Sequence, residues 1–214
     1  MQHIIVDSIS TDAIRQIIAE YAAKHPSIRP FFWDGPHPGN PVKSMFALCR
    51  TEYAAMCDGD DYFIHEGKLQ RQVDFLENNP KCSMCFHPVY MYWESGFRPP
   101  MNIPSPKDLP AHRPHYRITD LMRGNFMSTA SVMYRWRFRD GMPDWFYEDA
   151  LPGDWYWHIL HAEQGHVGFL PDVMSAYRRH PGGLWSGGEI DFAAHKARNG
   201  LNELRTLDKI NTHF

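Results

Sequence analysis

The stretch Tyr53-Ala54-Ala55-Met56-Cys57-Asp58-Gly59-Asp60-Asp61-Tyr62-Phe63 decides how this chain is read. An uncharged run with the pattern of a buried strand stops abruptly in three carboxylates, Asp58, Asp60 and Asp61. No lysine or arginine stands within four residues on either side. Carboxylates crowded at one strand end repel each other unless a cation neutralises them. Such oxygen donors suit Mg²⁺ or Mn²⁺, and Mg²⁺ is usually held by one or two carboxylates together with substrate phosphates. The alternative is a solvated acidic turn. An EF-hand is excluded, because no DxDxDG loop with a glutamate at its twelfth position exists.

On the C-terminal side, Lys68, Leu69, Val73 and Leu76 follow a helical period that Asn79-Pro80 ends. Residues 84–93 read as a second buried strand. Residues 95–117 carry six prolines between Pro99 and Pro114 and are expected to form an irregular loop. Further on come a short helix at Ile118–Met122, a strand-like run at Ser128–Tyr134, a helix from Asp154 to Gln164 with Gly165 as its cap, and a strand at His166–Leu170. Phe192, Leu201, Leu204, Leu207 and Ile210 fall at helical spacing in a tail spanning 189–214.

On the N-terminal side, residues 3–6 are β-rich and stop at Asp7-Ser8-Ile9-Ser10-Thr11-Asp12. Ile14, Ile17, Ile18, Tyr21 and Ala22 then mark an amphipathic helix that Ser10 or Asp12 can cap. A strand feeding a helix through a polar turn is half of a βαβ unit. In open α/β sheets such turns lie where ligands bind. Residues 25–42 read as a Pro- and Gly-rich loop, and 41–50 as a helix. No repeat or linker interrupts the pattern, so the expectation is one mixed α/β domain over 1–214.

Composition narrows the function. The 214 residues are 43% hydrophobic and 22% charged, as in globular chains. Lys plus Arg number 22 against 25 Asp plus Glu, a balance that argues against a nucleic-acid binder held by counterion release. No apolar run reaches the ~18–20 residues of a membrane span, and Asp7 ends the N-terminal apolar run too early for a signal peptide. A soluble protein in the cytoplasm, or attached peripherally to a membrane, is expected. Cys82 and Cys85 form a CxxC with no second pair to complete a zinc site, so they read as buried thiols in a reduced compartment. The 7 Trp, 10 Tyr and 13 Phe exceed the needs of a minimal core, and aromatic excess is a feature of sugar and nucleotide sites.

The run from Tyr53 to Phe63, followed by Lys68-Leu-Gln-Arg-Gln72, resembles the family 2 glycosyltransferases, in which an apolar strand ends in a D-x-D-D-Y-W-like motif ahead of a K-L-x-x-Q helix. Four more stretches match in order. Ile4 to Asp12 is similar to the V-D-D-G-S-T-D turn, and Gly124 to Arg135 to the segment beneath the acceptor site. Gly153-Asp154-Trp155 is similar to the catalytic E-D or G-D segment, and Ala176 to Gly183 to the closing Y-R-x-H element. The likeness covers about residues 3–185. Ser8 and Ile9 stand where the family has its second Asp and its Gly. Family members usually carry a further strand and helix before this turn. The strand at 3–6 is therefore expected to lack its inner neighbour, or to take one from another segment or subunit.

What the resemblance implies is a GT-A-like fold and an inverting, metal-dependent transferase of the hexosyltransferase type. It would move a sugar from a nucleoside-diphosphate donor, UDP-linked, to a glycan or lipid-linked acceptor, using Mn²⁺ or Mg²⁺. Asp60 is the implied metal ligand with Asp61 assisting and His180 reaching the metal or pyrophosphate. Asp58 contacts the ribose or bridges through water, Asp7 contacts base or ribose, and Arg178 supports the diphosphate, with Arg179, Lys43 and Asn40 as alternatives. Asp154, set among Trp145, Trp155 and Trp157, is the implied general base; Glu148 and Asp149 are its local competitors, and a plain helix cap is its alternative role. Two other functions stay open: a catalytically silent remnant that binds sugar nucleotide or a partner, and a nucleotidyltransferase or phosphate hydrolase, for which the chain offers no P-loop.

Overall fold

The computed structural model describes residues 1–34, 46, 48–96, 98–109, 113–143, 146, 153–183 and 192–213. It is mixed α/β, with mixed sheets flanked by helices. The chain packs as two compact units. One contains residues 1–51 and 137–149, the other 52–136 and 150–214.

In the first unit, β1 (His3–Ser8), α1 (Ile14–Lys24) and β2 (Ile28–Trp33) form a βαβ unit, with β1 and β2 parallel from His3↔Ile28 to Ser8↔Trp33. The segment 28–33 is thus a strand and not the loop that its proline led us to expect. Ile28, Phe31, Phe32 and Trp33 have strand propensity, and Pro30 is tolerated because β2 has no other partner among the described residues. The pairing of β1 with β2 is its only one among those residues. Of the α1 stripe, Ile18 is buried while Ile14, Ile17 and Tyr21 are exposed. The turn after β1 places Ile9 at φ 63°, left-handed backbone at the position where the family has glycine. The helix expected around 41–50 lies largely outside the described residues.

The second unit holds a five-stranded sheet in the order β3-β9-β5-β10-β8 and a four-stranded sheet in the order β4-β11-β6-β7. The strands are β3 (Tyr53–Ala55), β4 (Tyr62–Phe63), β5 (Cys82–Phe86), β6 (Val89–Trp93), β7 (Met101–Ile103), β8 (His115–Tyr116), β9 (Met133–Arg135), β10 (His166–Phe169) and β11 (Ser175–Arg179). The helices are α2 (Lys68–Asn78), α3 (Ile118–Leu121), α4 (Gly153–Ala162) and α5 (Phe192–His213). Central β5 is buried at every residue, as expected of a strand covered on both faces. Leu76, Cys82, Cys85, Met133, Leu170 and Met174 form a core cluster against it, and both CxxC thiols are buried and free.

Three boundaries differ from the sequence reading. The run 84–93 is two strands: Pro88 lacks an N–H for a ladder, and His87-Pro88 carries the chain from one sheet to the other. β3 is three residues long and only half-buried, because it is an edge strand. Within 95–117, β7 and β8 are short strands on sheet edges, where prolines between them do no harm. Gly165 lies beyond the end of α4, and its role is close approach. A Cβ there would stand 2.6 Å from the Lys81 carbonyl oxygen, the atom that receives the His166 N–H at 2.9 Å.

Arg135 locks the edge of the larger sheet. Its guanidinium donates to the Cys82 carbonyl at 3.1 Å, the Tyr53 hydroxyl at 2.6 Å and the Leu76 carbonyl at 2.5 Å, joining β9 to β5, β3 and α2.

Candidate active site

The acidic run closes a turn: the Asp61 N–H donates to the Asp58 carbonyl at 3.1 Å. That turn lies between β3 and β4. Because β4 runs antiparallel to β11, with Tyr62 opposite Ala176, residues just before Tyr62 meet those just after Ala176. Two contacts follow. The Arg178 N–H donates to Asp61 Oδ1 at 3.1 Å, and His180 Nε2 stands 3.1 Å from Asp60 Oδ2. Residues 120 positions apart in sequence are brought together by one strand pairing.

Asp61 is buried, and loss of water raises its carboxyl to about 7 despite the Arg178 N–H; the charges of Asp58 and Asp60 push the same way. Asp58 rises to about 6, first by desolvation and then by the charges of Asp154 and Asp60. The turn thus carries a surplus of negative charge.

Asp154 stands in the first turn of α4, where the helix dipole favours an anion. Its Oδ2 accepts from Asn125 Nδ2 at 3.2 Å and from Thr129 Oγ1 at 3.4 Å. Desolvation raises its pKa, against hydrogen bonds from the Trp155 and Asp154 backbone, Thr129 and Asn125. The Thr129 side chain also bonds Asp58. A hydroxyl has one proton to give, so it serves one carboxylate at a time. Asp58 and Asp154 therefore share a single donor. The helix that carries Asp154 is fixed from behind. His158, driven down to about 3 by burial and hence neutral, meets the Tyr134 hydroxyl at 2.9 Å, and Trp155 Nε1 donates to the Leu121 carbonyl at 2.7 Å.

Under the turn, Lys68 is 1% exposed. Its ammonium donates to Gln72 Oε1 at 2.8 Å and lies 4.1 Å from the centre of the Phe63 ring; no carboxylate pairs with it among the described residues. Gln72 in turn donates to the Ser131 carbonyl at 2.8 Å. Burial lowers Lys68 to about 8.

The sequence model of glycosyl transferase family 2 matches residues 1–181. The chain belongs to this family. It is also 37% identical to uncharacterized proteins of Mycobacterium tuberculosis and Mycobacterium bovis, across 96% of this chain and 58% of their length. The chain therefore spans well under two thirds of the curated relatives it matches.

Against the family's motif order, Asp58, Asp60, Asp61, Asp154, Arg178 and His180 all fall in the second unit. Arg178 directs its side chain to Glu94, with Nη1 3.4 Å from Oε1, and Arg179 lies over the Trp93 and Tyr177 rings. Asp7 is in the first unit, buried, and its Oδ1 takes the Ser10 N–H at 3.2 Å and Arg15 Nε at 2.5 Å. Desolvation works to raise its pKa, but these bonds outweigh it and hold it below the ordinary value. Arg15 also contacts Asp34 and the Trp33 carbonyl, the latter at 2.7 Å. Asn40, Lys43, Trp145, Glu148 and Asp149 lie outside the described residues. Asn125, Thr129 and the Lys68–Gln72 pair were not singled out as site residues by sequence; a threonine in a 3-10 turn carries no signal of what it will face.

No group of three His, Cys, Asp or Glu side chains surrounds one point among the described residues. Asp60 and His180 offer one oxygen and one nitrogen that already converge. That donor set fits Mn²⁺ or Mg²⁺ only if substrate phosphates complete the shell. No described helix is long and apolar enough to cross a membrane.

Proposed function

We propose that this chain is an inverting hexosyl-type glycosyltransferase that moves a sugar from a UDP-linked donor to a hydroxyl of a glycan or lipid-linked acceptor. The observation that carries the reading is the grouping of Asp58, Asp60, Asp61, Asp154 and His180 through β4–β11 pairing and Thr129, within a family 2 chain.

Asp60 and His180 would hold Mn²⁺ or Mg²⁺, whose contribution is to offset charge on the leaving diphosphate. Asp61 assists by tying the turn to β11 through the Arg178 N–H. Asp58 faces the ribose, directly or through water. Arg178 serves the diphosphate as a charged donor, giving up an exposed pairing with Glu94 that contributes little in water.

Asp154 takes the acceptor proton. Inversion requires one carboxylate on the acceptor side, because the hydroxyl attacks opposite the departing diphosphate. A raised pKa makes Asp154 a stronger base than an ordinary aspartate, and Asn125 and Thr129, both bonded to Oδ2, fix the orientation of the carboxylate. A general base contributes typically ~10²–10⁴-fold, so Asp154→Asn should cost about 3–5 kcal/mol of transition-state stabilisation. The amide keeps the shape, so UDP binding and folding should persist. Transfer within threefold of wild type would remove Asp154 from the chemistry and leave it as a helix-end residue.

A further inference from the structure

The four-stranded sheet has an outer face that the roles above do not use. On β6, Val89 and Met91 turn inward and are buried, while Tyr90 turns outward and is 40% exposed. Strand register aligns Tyr62 of β4, Ala176 of β11 and Tyr90 of β6 in one row. The small alanine in the middle strand lets rings from both flanking strands close over it, and Ala176 is fully covered. Tyr62 meets Tyr92 edge-on, with centroids 6.5 Å apart and hydroxyls 3.4 Å apart; Tyr92 lies nearly parallel to Tyr90 at 6.0 Å. These rings line an open depression of about 410 Å³ that also reaches Trp93 and Arg98. A volume of this order is enough for a small ligand.

We infer that this tyrosine platform is a carbohydrate subsite that binds a pyranose ring of the acceptor. A pyranose offers a flat C–H face to an aromatic ring and a girdle of hydroxyls at its edge. Here the aromatic surface is exposed, and the phenol hydroxyls and the Arg98 guanidinium stand around it as hydrogen-bonding groups. The inclined rings form a shallow shelf, not a slot between parallel plates such as a flat base would fill. The shelf adjoins the site along the chain: Asp60 lies two residues before Tyr62, and His180 follows the strand that carries Ala176. The term acceptor rests on the transferase reading, whereas sugar binding to the shelf does not.

Saturation-transfer NMR on this chain with the methyl glycosides of glucose, galactose, mannose and rhamnose tests the inference. At least one glycoside should receive saturation from the aromatic protons. Tyr90→Ala should weaken that binding at least tenfold, Tyr90→Phe should retain it, and Mn²⁺-dependent UDP binding should be the same in both variants. No transfer to any of the four, or binding indifferent to Tyr90→Ala and to Tyr62→Ala, overturns it. Glycoside binding in a chain that binds no UDP would uphold the shelf and count against the transferase reading.

Discussion

Ile9 is a β-branched residue with φ 63° and a side chain 54% exposed. Left-handed backbone costs an L-residue with a Cβ roughly 1–2 kcal/mol, a penalty glycine does not incur. Replacing Ile9 by Gly alone mixes that relief with lost packing, so the informative comparison is between Ile9→Ala and Ile9→Gly. Both lose the same side chain beyond Cβ, and only alanine keeps the left-handed penalty. Against it stands the extra chain entropy that glycine loses on folding, about 0.5–1 kcal/mol. The difference leaves Ile9→Gly more stable than Ile9→Ala by about 0.5–1 kcal/mol. At an ordinary extended or helical position the order is reversed. With a urea slope of about 2 kcal/mol/M, the midpoints should differ by about 0.3–0.5 M. Trp33, on the strand paired with β1, supplies a fluorescence signal from this unit. An Ile9→Ala midpoint equal to or above that of Ile9→Gly would refute the left-handed turn.

Lys68 gives a prediction that depends on pH. Its folded pKa of about 8 lies below the ordinary 10.5, so between those values the unfolded chain binds a proton that the folded chain does not, and stability gains with rising pH. The difference in unfolding free energy between wild type and Lys68→Met should therefore move in favour of wild type by about 2–4 kcal/mol from pH 7 to pH 10.5; a difference that stays flat would show the ammonium is not held dry. For Asp154, the acid limb of kcat/KM should lie above the ordinary carboxylate value, with activity lost as pH falls through it. That limb should be absent from the residual activity of Asp154→Asn, and an unchanged limb would assign it elsewhere. Arg135→Ala removes three hydrogen bonds from a half-buried cation and should lower Tm by about 5–10 °C. A shift under 2 °C would mean that β9 is held by its ladder alone.

The helices around Lys68 and Asp154 and the strands around Cys82 and His166 were legible because their apolar spacing is set by burial on a known period. Strand 28–33 was hidden by Pro30, whose meaning depends on whether the strand is at an edge, and that is a tertiary fact. The break at His87-Pro88 was hidden in the same way: a continuous apolar run reads as one strand until the proline is seen to send its halves to different sheets. In the site, Asp58, Asp60 and Asp61 stood out by charge, while His180 and Asp154 were singled out only by their likeness to family motifs. Thr129 acts through its position between two carboxylates, and Asn125 through its reach to one of them, Asp154. Lys68 was legible only as part of a helix and of the K-L-x-x-Q likeness, because nothing in its neighbours' identity says that Phe63 and Gln72 will enclose it.

A metal-dependent transferase built on this site binds a nucleoside diphosphate through a divalent ion held at Asp60 and His180. Calorimetric titration of UDP into the chain, with Mn²⁺ and then with the metal chelated, tests it most directly. Saturable binding should appear with Mn²⁺, disappear on chelation, and be absent from a folded Asp60→Ala variant. UDP binding that ignores both the metal and Asp60, or no binding in either condition, would contradict the account.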